Sequence, residues 1–272
     1  MKIVTTPWKN ELFNLIKQSQ ESIKITSPFV KHNICEEILN IKKSHIKFEL
    51  ITDFKLRNIY LGSVDLDALE KIINNSGVVK NFSKLHSKIY LFDNKKAIIT
   101  SGNLTNGGLL NNFEYGIYTD EQEIVSKIAN DFYQLSSNEN TGIVKNEHIK
   151  EVRQLLLKVP NEQHIRLPKF DIENQKITDA DEDSIILDID SIGTTFKGWK
   201  LEVFKCANKI PNTIFSLADI NTFEKALKQK YPNNNHIPDK IRQQLQNLRD
   251  IGLIEFLGNG NYKKLWEIST TK

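Results

Sequence analysis

The chain reads as an α/β protein: a layered domain with a mixed sheet flanked by helices, then a small domain of three helices and a hairpin. Three observations predict this. The first 135 or so residues alternate helical and strand-like apolar patterns. An acidic stretch then interrupts them. After residue 196 the charge turns basic, and helical patterns run into a hairpin signal. The expected division is 1–160, an acidic linker over 161–196, and 197–272.

Residues 11–19 are helical, with Leu12, Leu15 and Ile16 on one face. Residues 23–30 read as a strand ending at Pro28, and 34–43 as a helix. An apolar, β-branched strand follows at 48–54. In the helix predicted over 66–74, Leu66, Leu69, Ile72 and Ile73 form one buried stripe. Strands then crowd together at 78–82, 89–92, 97–100 and 113–118. Asp120 is expected to cap a helix over 121–135. The polar run at 136–141 breaks the pattern. An amphipathic helix is expected over 148–158, with Val152, Leu155 and Leu156 on one side and Pro160 ending it. Residues 171–190 hold eight acidic side chains and one basic, Lys176, which reads as a linker or solvated strap.

From Lys197 onward 13 Lys and Arg face 7 Asp and Glu, a net +6 against +3 for the whole chain. That asymmetry points to a polyanionic partner. Residues 199–210 are helical, with Leu201, Phe204 and Ala207 inward. Phe215, Ser216 and Leu217 lead to a helix over 219–230, stopped before Pro232. Pro238 suits the first turn of a third helix, 239–251, whose stripe is Ile241, Leu245 and Leu248 and which Gly252 closes. Strands at 253–257 and 262–266 pair around Gly258-Asn259-Gly260-Asn261. Three helices and a hairpin make a winged helix. Lys240, Arg242, Gln243, Gln244, Gln246, Asn247 and Arg249 face away from the stripe, and all but Gln244 are candidate contacts to double-stranded DNA. Winged helices also bind proteins, and the basic charge is what favours DNA here.

Composition removes several classes. Two distant cysteines, Cys35 and Cys206, give no disulfide framework, and no Cys/His cluster has zinc spacing. No uncharged run approaches the roughly 20 residues of a membrane span, and residues 1–8 lack an apolar leader. A cytoplasmic protein without cofactor, metal or membrane partner is expected.

The most informative stretch is 85–117. His86-x-Lys88-x4-Asp93 is followed by Ser101, Asn103 and Glu114. An isolated His-x-Lys in a lysine-rich chain is usually surface decoration. Here two strands joined by a short turn at 93–95 return the chain, so that Ser101 and Asn103 come near His86 and Lys88. The loop that follows, Gly-Asn-Leu-Thr-Asn-Gly-Gly, offers amides and polar side chains. A nucleophile, a cation and neutral donors are what a phosphate site needs.

This frame resembles the signature of the phospholipase D superfamily, with Thr100 standing where that family usually has Gly. The resemblance covers roughly residues 1–135. It implies a covalent mechanism in which one histidine attacks phosphorus and a second protonates the leaving oxygen, then activates water. Lys88 and Asn103 would stabilise the phosphate oxygens, Ser101 would donate a further hydrogen bond, and Glu114 would orient an imidazole. Asp93 would be structural, tying down the turn. Only one frame is present, so His86 is expected to meet its counterpart in a second subunit, giving a homodimer with a shared site on the two-fold axis. Domain 1–160 would thus be catalytic and dimeric.

Residues 231–266 resemble, in turn, the C-terminal winged helix of Dam-replacing and related restriction endonucleases, some of which act on adenine-methylated GATC sites. The combined expectation is a metal-independent, restriction-type DNA endonuclease. The alternatives are a phosphodiesterase of another substrate, phospholipid or RNA, and a DNA-binding regulator with a dead nuclease fold.

Overall fold

The computed structural model describes residues 1–157, 159, 184–187 and 189–268. These form two compact units, the larger built on Met1–Lys150. It contains β1 (Lys2–Thr5), α1 (Lys9–Gln18), β2 (Ser22–Thr26), α2 (His32–Ile41), β3 (Lys47–Thr52), α3 (Leu56–Tyr60), α4 (Leu66–Asn74) and β4 (Val78–Asn81). Then come β5 (Ile89–Phe92), β6 (Lys96–Thr100), a π-helical turn (Gly107–Asn111), β7 (Tyr115–Thr119), α5 (Gln122–Ser136) and β8 (Gly142–Val144). Helix α6 (Asn146–Leu156) carries the chain onward.

One eight-stranded sheet orders them β1-β7-β6-β5-β2-β3-β4-β8. Strands β2, β3 and β4 are parallel, linked by helical crossovers, and the other pairings are antiparallel. The sheet is mixed and flanked by helices, as expected. Helix α2 packs between α1 and α4. On the α5 face, Leu91 and Ala97 meet Val125 and Ile128, and Ile51 meets Phe132.

Cross-strand partners share a face, so the register lines up Ile51, Thr26, Ile89, Ile99, Ile117 and Ile3 in one row across the α5 side. Helix α5 covers only part of it. Ile51 is fully buried, whereas Ile99 is 43% exposed, Ile117 46% and Ile3 62%. Tyr115, two residues before Ile117 on the same face, and Phe113 extend this open apolar strip.

The β5–β6 turn depends on Asp93. Asp93 and Asn94 both adopt the left-handed backbone, at φ 54° and 52°, and the Lys95 N–H returns to Phe92 O. This is a primed hairpin turn, which Asp and Asn tolerate best after Gly. The Asp93 carboxylate accepts the backbone N–H groups of Gln20, Glu21 and Ser22 at 2.8–2.9 Å. Burial pushes this carboxyl up, but those three donors together hold it below its ordinary value.

The smaller unit contains β9 (Ile185–Leu187), α7 (Ile189–Thr195), α8 (Gly198–Lys209), β10 (Ile214–Ser216), α9 (Leu217–Asn221), α10 (Glu224–Lys230) and α11 (Ile237–Asp250). The hairpin β11 (Ile254–Gly258) and β12 (Asn261–Lys264) follows, then β13 (Trp266–Ile268). Asn259 and Gly260 sit at the hairpin tip with φ 52° and 70°, again a primed turn. Strand β10 adds a third strand beside β12, completing the wing.

Four details differ from expectation. Glu121, not Asp120, sits at the cap of α5, and no side chain caps it; Asp120 instead accepts the Tyr118 hydroxyl. The helix expected over 219–230 is split, because Ser216 and Asp219 form a capping box for a short first piece and Thr222 Oγ1 turns back to Asp219 O. Gln244 is buried beside the Ile241 stripe rather than exposed. The expected linker does not run to 196: Ile185 and Leu187 are buried, and β9 pairs in parallel with β13. Apolar residues at alternate positions make a strand even among carboxylates. Residues 160–183 and 188, with the helix stop at Pro160, lie outside the described residues.

Replacing Asp93 by Ala should cost about 1.5–3 kcal/mol, the usual worth of hydrogen bonds to a charged group. Because the folded carboxyl titrates lower than the unfolded one, its contribution is complete above about pH 4 and is lost as pH falls through the folded value. Urea midpoints of wild type and Asp93→Ala should therefore differ at pH 7 and converge in acid.

Candidate active site

The C-terminal ends of parallel strands β2, β3 and β4 define one edge of the sheet. Pairing of Thr26 with Ile89 puts the start of β5 at that edge, and the antiparallel hairpin brings the end of β6 and start of β7 there too. In sheets with parallel strands this edge is where ligands bind.

His86 and Lys88 lie just ahead of β5, in extended chain rather than within a strand. Thr26 fixes this lead-in: its Oγ1 accepts the Ile89 N–H at 3.0 Å and donates to Ser87 O at 3.2 Å. His86 is exposed, and its imidazole makes no hydrogen bond among the described residues. Lys88 is buried, with its Nζ donating to His86 O at 2.7 Å. Burial lowers the Lys88 pKa, and the Glu114 carboxylate pushes it back up.

Among the described residues, no imidazole hydrogen-bonds Glu114. Its carboxylate accepts the Ser101 hydroxyl and, at 3.2 Å, the Asn112 amide. Ser101 Oγ also accepts the Tyr115 N–H at 3.1 Å. Thr100, at the position where Gly was expected, accepts the Gly102 N–H and donates to Tyr115 O, so its hydroxyl helps shape the turn. Asn103 Oδ1 faces the Phe29 N–H at 3.4 Å.

Sequence reasoning missed what holds this loop. Trp8 Nε1 donates to Gly108 O at 2.8 Å, and Tyr90 Oη donates to Gly102 O at 3.0 Å. The two rings meet edge to face, 5.0 Å apart. Gly108 is indispensable here, because a Cβ on it would fall 2.4 Å from Asn103 O. The Gly-Asn…Gly-Gly pattern was the available signal for the glycines; nothing in the sequence pointed to Trp8 or Tyr90. Among the described residues no group of His, Cys, Asp and Glu is arranged to hold a metal ion.

Residues 12–136 match the family model "Cardiolipin synthase, PLD-like domain". The chain thus carries a phospholipase D-like domain. Residues 195–264 match the "Dam-replacing HTH domain", so the smaller unit is a winged helix of that kind. Among solved structures, NucT from Helicobacter pylori is 20% identical, with 49% of this chain and 92% of that one covered at a TM-score of 0.40. Nuc from Salmonella typhimurium, a phospholipase D family member, is 16% identical, covering 49% and 91% at 0.43. A phosphatidylserine synthase of Haemophilus influenzae is 16% identical, covering 57% and 44% at 0.42.

In the winged helix, Lys240, Arg242, Gln243 and Gln246 share one groove of about 480 Å³ at the start of α11, with Asn234, His236 and Asp239. Arg242 pairs with Asp239 at 3.3 Å. The other two candidates lie apart from this groove. Arg249 stacks over the Phe256 ring, 4.8 Å from its centroid, and Asn247 donates to Gln244 Oε1 at 3.2 Å. No helix among the described residues is long and apolar enough to cross a membrane.

Tyr90→Phe should leave Gly102 O buried without its donor and cost roughly 1–3 kcal/mol. Chemical denaturation of this variant beside wild type measures that loss.

Proposed function

We propose that the protein is a DNA endonuclease in which the phospholipase D-like domain hydrolyses and the winged helix selects the site. The observation that carries the reading is the convergence at one sheet edge of exposed His86, buried cationic Lys88, Ser101, Asn103 and Glu114. The winged helix with its basic charge supports DNA over phospholipid or RNA. Lys240, Arg242, Gln243 and Gln246 face the duplex in this reading, since the first turns of a recognition helix meet the base edges.

The chemistry is covalent. His86 attacks phosphorus, the P–O bond to the leaving nucleotide breaks, and a second His86 gives that oxygen its proton. The same second imidazole then takes a proton from water, which attacks the phosphohistidine and frees His86. Lys88 and Asn103 bind the equatorial oxygens as charge builds. No step asks for a metal ion.

The second histidine comes from a second copy of the chain. The half-site in each chain supports this, and so does the open strip of Ile3, Ile99, Ile117, Tyr115 and Phe113. That strip borders Ser101 and Glu114, so burying it against a partner would bring two half-sites together. Glu114, unengaged with its own His86, is then available to the partner's imidazole.

Cleavage of plasmid DNA should persist in EDTA, and comparing adenine-methylated with unmethylated plasmid shows whether the winged helix reads methylation. Activity that vanishes in EDTA and returns with Mg²⁺ refutes the mechanism. His86→Ala should abolish cleavage while fold and DNA binding persist, and Lys88→Ala or Asn103→Ala should lose on the order of 10²–10³ in rate. Wild-type/His86→Ala mixed dimers should be nearly inactive; heterodimers that keep half the wild-type rate would mean that each chain holds a complete site.

A further inference from the structure

A groove of about 510 Å³ opens beside the Asn103 loop, lined among others by Phe29, Lys31, Asn33, Ser63, Thr105 and Asn106. None of these residues belongs to the catalytic set. Volumes of roughly 300–1,000 Å³ are usual for small-ligand sites.

The groove is built rigidly. Val30 forms parallel bridges with both Val64 and Leu104, so three segments lie side by side as its floor. The Val30 N–H donates to Ser63 O, the Lys31 N–H to Leu104 O, and the Leu104 N–H to Ser27 Oγ at 2.8 Å. The Phe29 N–H faces the Asn103 side chain, which ties the groove to the residue that would hold the scissile phosphate.

Its chemistry selects the ligand. The cation is already used, because Lys31 Nζ donates to Gly62 O and pairs with Asp65 at 3.0 Å. A phosphate therefore finds no free positive charge from Lys31. An acyl chain fits poorly as well, since it would strip water from Asn33, Ser63, Thr105 and Asn106 and return no hydrogen bonds. What remains is a half-exposed aromatic ring among neutral amides and hydroxyls. A flat ring with a polar edge satisfies both features: its face stacks on Phe29 and its edge meets the neutral amide and hydroxyls of Asn33, Ser63 and Thr105.

We propose that this groove is a base-binding subsite, holding one unpaired nucleobase of the strand whose phosphate lies at Asn103, stacked on Phe29. The proposal rests on the nuclease reading above and names where its substrate strand runs. A duplex would enter with that base turned out of the stack.

The test uses the full chain carrying His86→Ala, so that substrate is bound without turnover. Single-stranded oligodeoxynucleotides each carry one 2-aminopurine, moved position by position. Binding should quench fluorescence strongly at one position. Adding Phe29→Leu should abolish that quench and weaken binding about 5–150-fold, the range for loss of one base–aromatic stack. Phe29→Trp should restore both. Quenching that survives Phe29→Leu, or that occurs at no position, overturns the proposal, as does quenching by the ribo-oligonucleotide alone. If the Phe29-dependent quench is present but unmutated chain cuts no DNA, the subsite stands and the nuclease reading falls.

Discussion

Two hydrogen bonds to main-chain carbonyls, from Trp8 to Gly108 and from Tyr90 to Gly102, hold the loop on which the candidate site depends. They act on the backbone and do not occupy the Ser101 and Asn103 side chains, which meet Glu114 and the Phe29 N–H instead. The donors are large, rigid and buried, so the loop cannot shift without emptying space around both rings. The glycines make the close approach possible, and the aromatic pair makes it permanent. Asp93 plays the same part at the other end of the hairpin, where three backbone donors from the β2 entrance converge on one carboxylate.

Much of this was legible in the sequence, for identifiable reasons. Helix α4 and strand β5 fell at their predicted bounds, because their apolar spacing is unambiguous and turn residues flank them. The hairpin at Asn259-Gly260 was legible because left-handed backbone has few residue solutions. The frame from His86 to Glu114 was found by spacing, and the fold brings its members to one sheet edge. Short elements were not foreseen: β1, α3 and β8 span three to five residues, too few for a period to register. Strand β9 was hidden by the carboxylates around it.

One side chain was misjudged for a physical reason. Gln244 is polar, so the helical wheel alone turned it outward, but a helix packed on a hairpin has a wide interior, and Gln244 is buried there. Arg249, partly exposed, lays its guanidinium over Phe256. Polarity gives the preferred side of a residue only when neighbouring elements leave that side open. Spacing also hides local contacts: the Glu114 carboxylate accepts hydrogen bonds from Ser101 and Asn112 in its own loop.

The uncovered end of the isoleucine row has a consequence for dosage. If a second copy covers it and completes the site, catalytic centres form by a bimolecular step. Below the dissociation constant of the pair, their number then grows with the square of chain concentration. A tenfold fall in protein would remove about a hundredfold of cutting capacity. Scarce copies, such as those just released from a ribosome, would be nearly harmless to any DNA around them. The exposed apolar strip, a liability for solubility in a lone chain, would then serve as the threshold that keeps the lone chain silent.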